Sequence, residues 1–144
     1  MTVAAILKHK GHDVARVAAT ATIAEVSKTL AARRIGALLV MDAADQLLGI
    51  ISERDIVRCL SEHGGRVLEM TAGQLMTREL QTATPGTTAQ QAMAMMTEGR
   101  FRHLPVLDGG RLVGVVSIGD IVKARIMQQE HEVDSLKAYV AGAA

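Results

Sequence analysis

The chain of 144 residues is 49% hydrophobic, enough to bury the core of one compact domain or of two small units sharing one. Its 16 basic and 15 acidic side chains leave a net charge of +1, so the chain as a whole attracts neither nucleic acid nor an anionic membrane, and any anion site must be local. The lone Phe101, the lone Tyr139 and the lack of tryptophan remove the aromatic platforms that single-strand binders use, and the single Cys59 excludes an intrachain disulfide or a multi-cysteine metal knuckle.

Val3 to Leu7 reads as a short apolar helix, and Lys8 to Asp13 as a polar break around Gly11. Val14 and Val17 resume an extended pattern. From Thr22, the apolar residues Ile23, Val26 and Leu30 fall at i, i+3 and i+7, with Glu25, Lys28, Arg33 and Arg34 opposite, which is one face of a helix that Gly36 ends. Ala37 to Met41 is a buried strand, Asp42 to Gln46 a hairpin turn and Leu47 to Ile51 the return strand, which stops at Ser52. The helix opening there keeps Asp55 in its first turn, presents Ile56, Val57 and Leu60, and stops near Gly64 and Gly65. Cys59 lies beside Ile56 and Leu60 and reads as a buried thiol rather than a nucleophile.

The order then repeats. Leu75, Met76 and Thr77 lead into Leu80 to Ala83, Pro85 and Gly86 make a turn, and Thr88 opens a helix with Ala89, Ala92, Met93 and Met96 inward. Phe101 to Leu107 matches the strand from Ile35 to Met41, and the stretch Gly49 to Val57 (GIISERDIV) returns 65 residues later as Gly114 to Val122 (GVVSIGDIV). The intervening turn, Asp108-Gly109-Gly110, is one residue shorter than its counterpart, a deletion confined to a hairpin. The expected fold is α/β: one β-α-β-β-α unit over residues 1–66, a second over 67–127 and a helical tail over 128–144. After Ile126 the tail has a polar segment, Gln128 to Glu132, and then an apolar stripe of Val133, Leu136 and Val140. The stripe fits either a helix lying back on its own domain or a partner helix in a dimer.

The order of elements, the repeated GIISERDIV and GVVSIGDIV, and the strand RHLPVLD resemble tandem CBS domains, the cystathionine β-synthase-type modules. The resemblance covers about Val3 to Ile126 and leaves only the tail unaccounted for. It implies two repeats packed through their sheets about a pseudo-twofold axis, with two clefts that take adenosine ligands: AMP, ADP, ATP, a nicotinamide dinucleotide NAD(H) or S-adenosylmethionine. It also implies a homodimer associating through helices, for which Ile56, Leu60 and Ile121 are the candidate faces.

On the family pattern, Asp55 and Asp120 bind ribose, and Ser52 and Ser117 hold ribose or phosphate, with Ile118 next to the latter. Arg54 in one copy, and Arg102 with His103 in the other, are the phosphate candidates, and Gly36, Ala37 and Pro105 line the strands against which an adenine lies. Each cleft also takes residues from the segment preceding the other repeat: Lys10, Gly11, His12, Asp13 and Val14 for the cleft of Asp120, and Leu75, Met76, Thr77 and Arg78 for that of Asp55. Gly119 stands where the first copy has Arg54, so the two clefts should differ in phosphate affinity.

The residues themselves support such chemistry, because a carboxylate in a first helical turn accepts from ribose hydroxyls while the helix N-terminus offers N–H groups to phosphate. They support capping equally: serine followed three residues later by aspartate at a helix start is also a capping box. His9, His12, His63 and His131 lack metal-ligand spacing, so no metal is expected. No GxxxxGK, GxGxxG, HExxH or serine-elbow pattern occurs, so catalysis is not expected either. The expected role is a stand-alone adenosine-nucleotide sensor signalling to an unidentified protein target; the alternative is a structural dimerisation module with vestigial clefts. No charged leader runs into an apolar stretch and no run approaches the roughly 20 residues of a membrane span, so the expected location is cytoplasmic, off the membrane.

Overall fold

The computed structural model describes residues 1–143 as a mixed α/β chain. Its elements run α1 (Val3–Lys10), β1 (Arg16–Ala18), α2 (Ile23–Arg33), β2 (Ala37–Met41), β3 (Leu47–Ser52), α3 (Glu53–His63), a 3-10 helix (Gly64–Glu69), α4 (Ala72–Leu75), α5 (Ala89–Gly99), β4 (His103–Asp108), β5 (Arg111–Ser117) and α6 (Ile118–Ala143). They form two compact units, neither continuous in sequence. The unit holding GIISERDIV contains Asp13–Thr82 and Asp108–Val113; the unit holding GVVSIGDIV contains Met1–His12, Ala83–Leu107 and the chain from Gly114 onward.

In the first-motif unit β2 lies between a parallel β1 and an antiparallel β3. Leu38, Val40 and Ile51 from this sheet pack with Ile23, Val26 and Leu30, the i, i+3, i+7 face of α2. A capping box fixes where α2 starts, with the Thr22 hydroxyl accepting from the Glu25 N–H and the Glu25 carboxylate from the Thr22 N–H. Its end is a left-handed Arg34 at φ 54°. The second-motif unit repeats the device, with Thr88 and Gln91 opening α5 and Arg100 closing it at φ 56°. The hairpin after β2 is organised by Asp42, whose carboxylate accepts from the Ala44 and Gln46 N–H groups at 2.8 and 2.9 Å.

The lead-in segments cross over. α1 belongs to the second-motif unit, where Val3 N–H donates to the Thr87 carbonyl at 2.8 Å and Thr2 bridges Thr88. α4 belongs to the first-motif unit, where Ala72 N–H donates to the Ala21 carbonyl at 2.8 Å and Thr71 bridges Thr22. The motif glycines sit under these segments. A Cβ on Gly49 would stand 2.6 Å from the Thr77 carbonyl oxygen and 2.9 Å from the Met76 sulfur, whereas the atoms nearest one on Gly114 all belong to the Leu7 side chain, the first at 2.7 Å. A backbone oxygen cannot swing aside as a leucine can. Gly49→Ala is therefore expected to destabilise the fold clearly more than Gly114→Ala, its overpacking costing about 1–3 kcal/mol. Equal losses in thermal denaturation would refute the contact difference.

Three expectations need correction. Leu80 to Ala83 does not form a strand: only Ala83 pairs, donating to the Pro105 carbonyl and accepting from Leu107 N–H at 2.8 Å each. The ladder stops because the Thr84 N–H turns to the Thr87 hydroxyl and Pro85 has no N–H to offer. The helix from Ser52 does stop where expected, at the Gly64 cap, and a 3-10 helix then leads to the short α4 that Leu75 closes. Ile121 is fully buried and cannot serve a dimer face. Finally, α6 runs unbroken through Gln128 to Glu132, and Val133, Leu136 and Val140 beyond it are 50%, 63% and 60% exposed, so the stripe does not lie back on its own unit.

Candidate functional site

Each motif places its aspartate at the third position of a helix, one turn past a serine, but the two carboxylates are held differently. Asp55 is 5% exposed and is the buried charged residue of the described core. One of its oxygens, Oδ2, accepts from the Ser52 N–H and hydroxyl, both at 2.9 Å; the other, Oδ1, accepts from Arg58 Nη2 at 3.1 Å and Thr77 Oγ1 at 3.3 Å. Four donors fill the roughly four lone-pair positions a carboxylate has. Ser52 Oγ in turn accepts from the Asp55 N–H at 3.2 Å, completing the capping box. Thr77 reaches this carboxylate because its backbone pairs with Ile50 on β3, the Thr77 N–H donating at 2.8 Å and its carbonyl accepting at 3.0 Å.

Asp120 is more open, with 22% of its side chain exposed. Its Oδ2 accepts from the Ser117 N–H at 2.8 Å and from Lys10 Nζ at 2.6 Å, and the same ammonium donates to the Val115 carbonyl at 2.7 Å. Lysine has three N–H donors, so two spent here leave one for a ligand anion. The Ile118 N–H at the start of α6 donates to the Arg102 carbonyl at 3.0 Å, as Glu53 N–H does to the Gly36 carbonyl at 2.9 Å in the other unit. That fixes Arg102, exposed, at the N-terminal end of α6.

Burial pushes the Asp120 pKa up, but the Lys10 hydrogen bond and charge together with the Ser117 hydrogen bonds outweigh it and hold the carboxyl below its ordinary value. A carboxyl depressed in this way stabilises the fold above its unfolded pKa of about 4 and loses that contribution as pH falls through the lower folded value. Lys10→Met is expected to raise the Asp120 pKa, followed by the side-chain carbonyl shift in an NMR titration. An unmoved titration would overturn the ion pair.

The CBS domain family model matches residues 5–62 and 72–127. The chain belongs to the CBS-domain family. It is 38% identical over 125 residues to the mitochondrial CBS domain-containing protein CBSX3 of Arabidopsis thaliana, covering 84% of this chain and 61% of that one. It is 33% identical to CBSCBSPB1 of the same plant, over 87% of this chain and 23% of the other. The chain thus spans less than two thirds of either plant relative. Among solved structures it resembles the CBS-domain protein ATU1752 of Agrobacterium tumefaciens, with 42% identity, a TM-score of 0.85, and coverage of 87% of this chain and 99% of that one. It also resembles the CBS domain pair of protein MJ0100 in complex with 5′-methylthioadenosine and S-adenosyl-L-methionine, at 26% identity and a TM-score of 0.76, over 86% and 98% of the two chains.

Of the residues expected at the two CBS sites, the structure gathers Ser52, Asp55, Met76 and Thr77 in one unit and Lys10, Ser117, Ile118 and Asp120 in the other. Asp13 goes elsewhere: its carboxylate pairs with Arg33 at 3.1 Å and lies, with Val14, in the first-motif unit rather than that of Asp120. Gly11 is the C-cap of α1 at a positive φ of 103°, and His12 follows it, exposed. Gly36 lines a groove of about 540 Å³ with Leu30, Arg34, Ile35, Ile56 and Val57, on the side where α2 and α3 meet, while Ala37 pairs with Ser52 in the sheet. Arg54 is exposed on α3; His103 opens β4 and Pro105 is buried within it. Cys59 is half-buried against the core. Arg58, which completes the Asp55 carboxylate, was not anticipated; its i, i+3 spacing from Asp55 was the available signal.

Proposed function

We propose that this chain is a regulatory CBS module, with repeats over 1–66 and 67–127 and a tail over 128–144, that binds an adenosine nucleotide and passes its ligand state to a protein target without catalysing a reaction. One observation carries the reading: the Asp120 carboxylate at the N-terminus of α6, partly open, with the Lys10 ammonium 2.6 Å away. Together they offer an acceptor for ribose hydroxyls and a cation beside a helix N-terminus for phosphate, with Arg102 adjacent. The 5′-methylthioadenosine and S-adenosyl-L-methionine held by the MJ0100 domain pair support the ligand class, and AMP, ADP, ATP and NAD(H) are the candidates. Val57 and Leu60, 65% and 46% exposed on α3 beside the α2–α3 groove, support a homodimer. No helix among the described residues is long and apolar enough to cross a membrane; we place the module in the cytoplasm, with the mitochondrial relative naming the competing compartment.

A second reading, a structural dimerisation module with vestigial clefts, is favoured by the Asp55 carboxylate, whose acceptor positions the chain itself fills. Titration calorimetry with adenosine, AMP, ADP, ATP and NAD separates the two. Saturable binding of at least one phosphorylated compound is expected, and silence with all five overturns the sensor in favour of the structural module.

A further inference from the structure

The exposed part of α6 follows a seven-residue repeat. Ile126, Val133 and Val140 recur at one heptad position, a, and Val122, Gln129 and Leu136 at the complementary position, d. Ile126 and Val122 are exposed like the three residues of the stripe, so the seam is uncovered over its whole described length. β-Branched residues fill the three a positions and Leu136 one d position, a pattern that favours two strands over higher assemblies in parallel coils, while Gln129 at d meets its own counterpart only in the in-register parallel pair.

The flanking charges name the occupant. In parallel, in-register helices each g residue faces the e residue five positions on in the other copy. Arg125 then meets Glu130, and Glu132 meets Lys137, each pair occurring twice by symmetry. The antiparallel register that sets Glu130 against Lys137 leaves Arg125 and Glu132 without opposite charges. We propose that the C-terminal part of α6 pairs with the same segment of a second copy as a parallel, in-register two-stranded coiled coil. This rests on the homodimer reading above and adds to it an orientation, a register and the residues that set both.

Sedimentation of the full chain tests it. Lys137→Glu opposes Glu132 to a glutamate in both pairs and is expected to raise the dimer dissociation constant roughly tenfold. The swap Glu132→Lys with Lys137→Glu should restore it. In a Cys59→Ser background, Val133→Cys should give a disulfide-linked dimer on mild oxidation, because a faces a only in parallel helices. A wild-type monomer would overturn both the homodimer and the coiled coil. A dimer untouched by Val133→Asp with Val140→Asp would keep the homodimer and refute the coiled coil. Weakening by Lys137→Glu that the swap fails to repair would refute the parallel register.

Discussion

Asp55→Ala is expected to destabilise the chain by about 3 kcal/mol, combining a lost helix cap with lost hydrogen bonds to a buried charge. For a chain of this size that is about 10 °C in melting temperature. The cost follows from what the alanine strands: the Ser52 N–H and hydroxyl and the Thr77 hydroxyl all donate to this carboxylate. Arg58 contributes little, because its side chain is 58% exposed and water replaces its partner. Arg58→Ala should therefore cost under about 1 kcal/mol. Asp55→Asn should fall between, since the amide oxygen keeps one Ser52 bond and its N–H₂ can donate to the Thr77 hydroxyl, while Arg58 loses its acceptor. Thermal and urea denaturation of the three variants check the order. An Asp55→Ala chain no weaker than Arg58→Ala would mean that the carboxylate is not the latch between α3 and the segment after α4.

Asp120→Asn is expected to weaken AMP binding by roughly tenfold to a hundredfold, the scale of a hydrogen bond to a charged acceptor. On the wild type, 2′-deoxy-AMP should show a loss of the same size, since it removes the donor rather than the acceptor. Stability should change little, because Asn keeps a capping oxygen for the Ser117 N–H. The argument for Asp120 over Asp55 is occupancy: Asp55 is 5% exposed with four donors already on it, whereas Asp120 is partly open. Calorimetry with both nucleotides on both proteins decides it. Equal affinity of the wild type for AMP and its deoxy analogue, or an unaffected Asn variant, would make Asp120 a helix cap and nothing more.

What could be read in advance, and what could not, divides by sequence distance. The Thr22 and Thr88 helix starts, the paired strands and the Ser-Asp boxes are local patterns, and the structure holds them where the pattern puts them. The failed strand at Leu80 to Ala83 was local too, but its cause was a competition between the Thr87 hydroxyl and a sheet partner for the Thr84 N–H, which hydropathy does not register. Nor could spacing explain why the motif begins with glycine. The atoms that exclude a Cβ belong to Met76, Thr77 and Leu7, and the last lies more than a hundred residues from Gly114. The Asp120 ion pair with Lys10 is of the same kind, and only the family resemblance directed attention to that lead-in segment. The uneven state of the two aspartates was legible only in part: Glu53 and Arg54 against Ile118 and Gly119, and Arg58 one turn after Asp55, are local differences, but Thr77 and Lys10 reach the carboxylates from distant segments.

The crossing of α1 into the second-motif unit also has a consequence during synthesis. Val3 and Leu7 leave the ribosome well before the residues that cover them, since Leu7 packs under Gly114 and Val3 is pinned by Thr87. The first-motif unit can assemble its three strands, α2, α3 and α4 from one continuous stretch while the opening helix still waits for its cover. Through that interval an apolar turn of the nascent chain stays open to solvent and to aggregation. Cutting the gene between the two repeats would strand the same helix on the wrong fragment, leaving each half to expose what the other was made to bury.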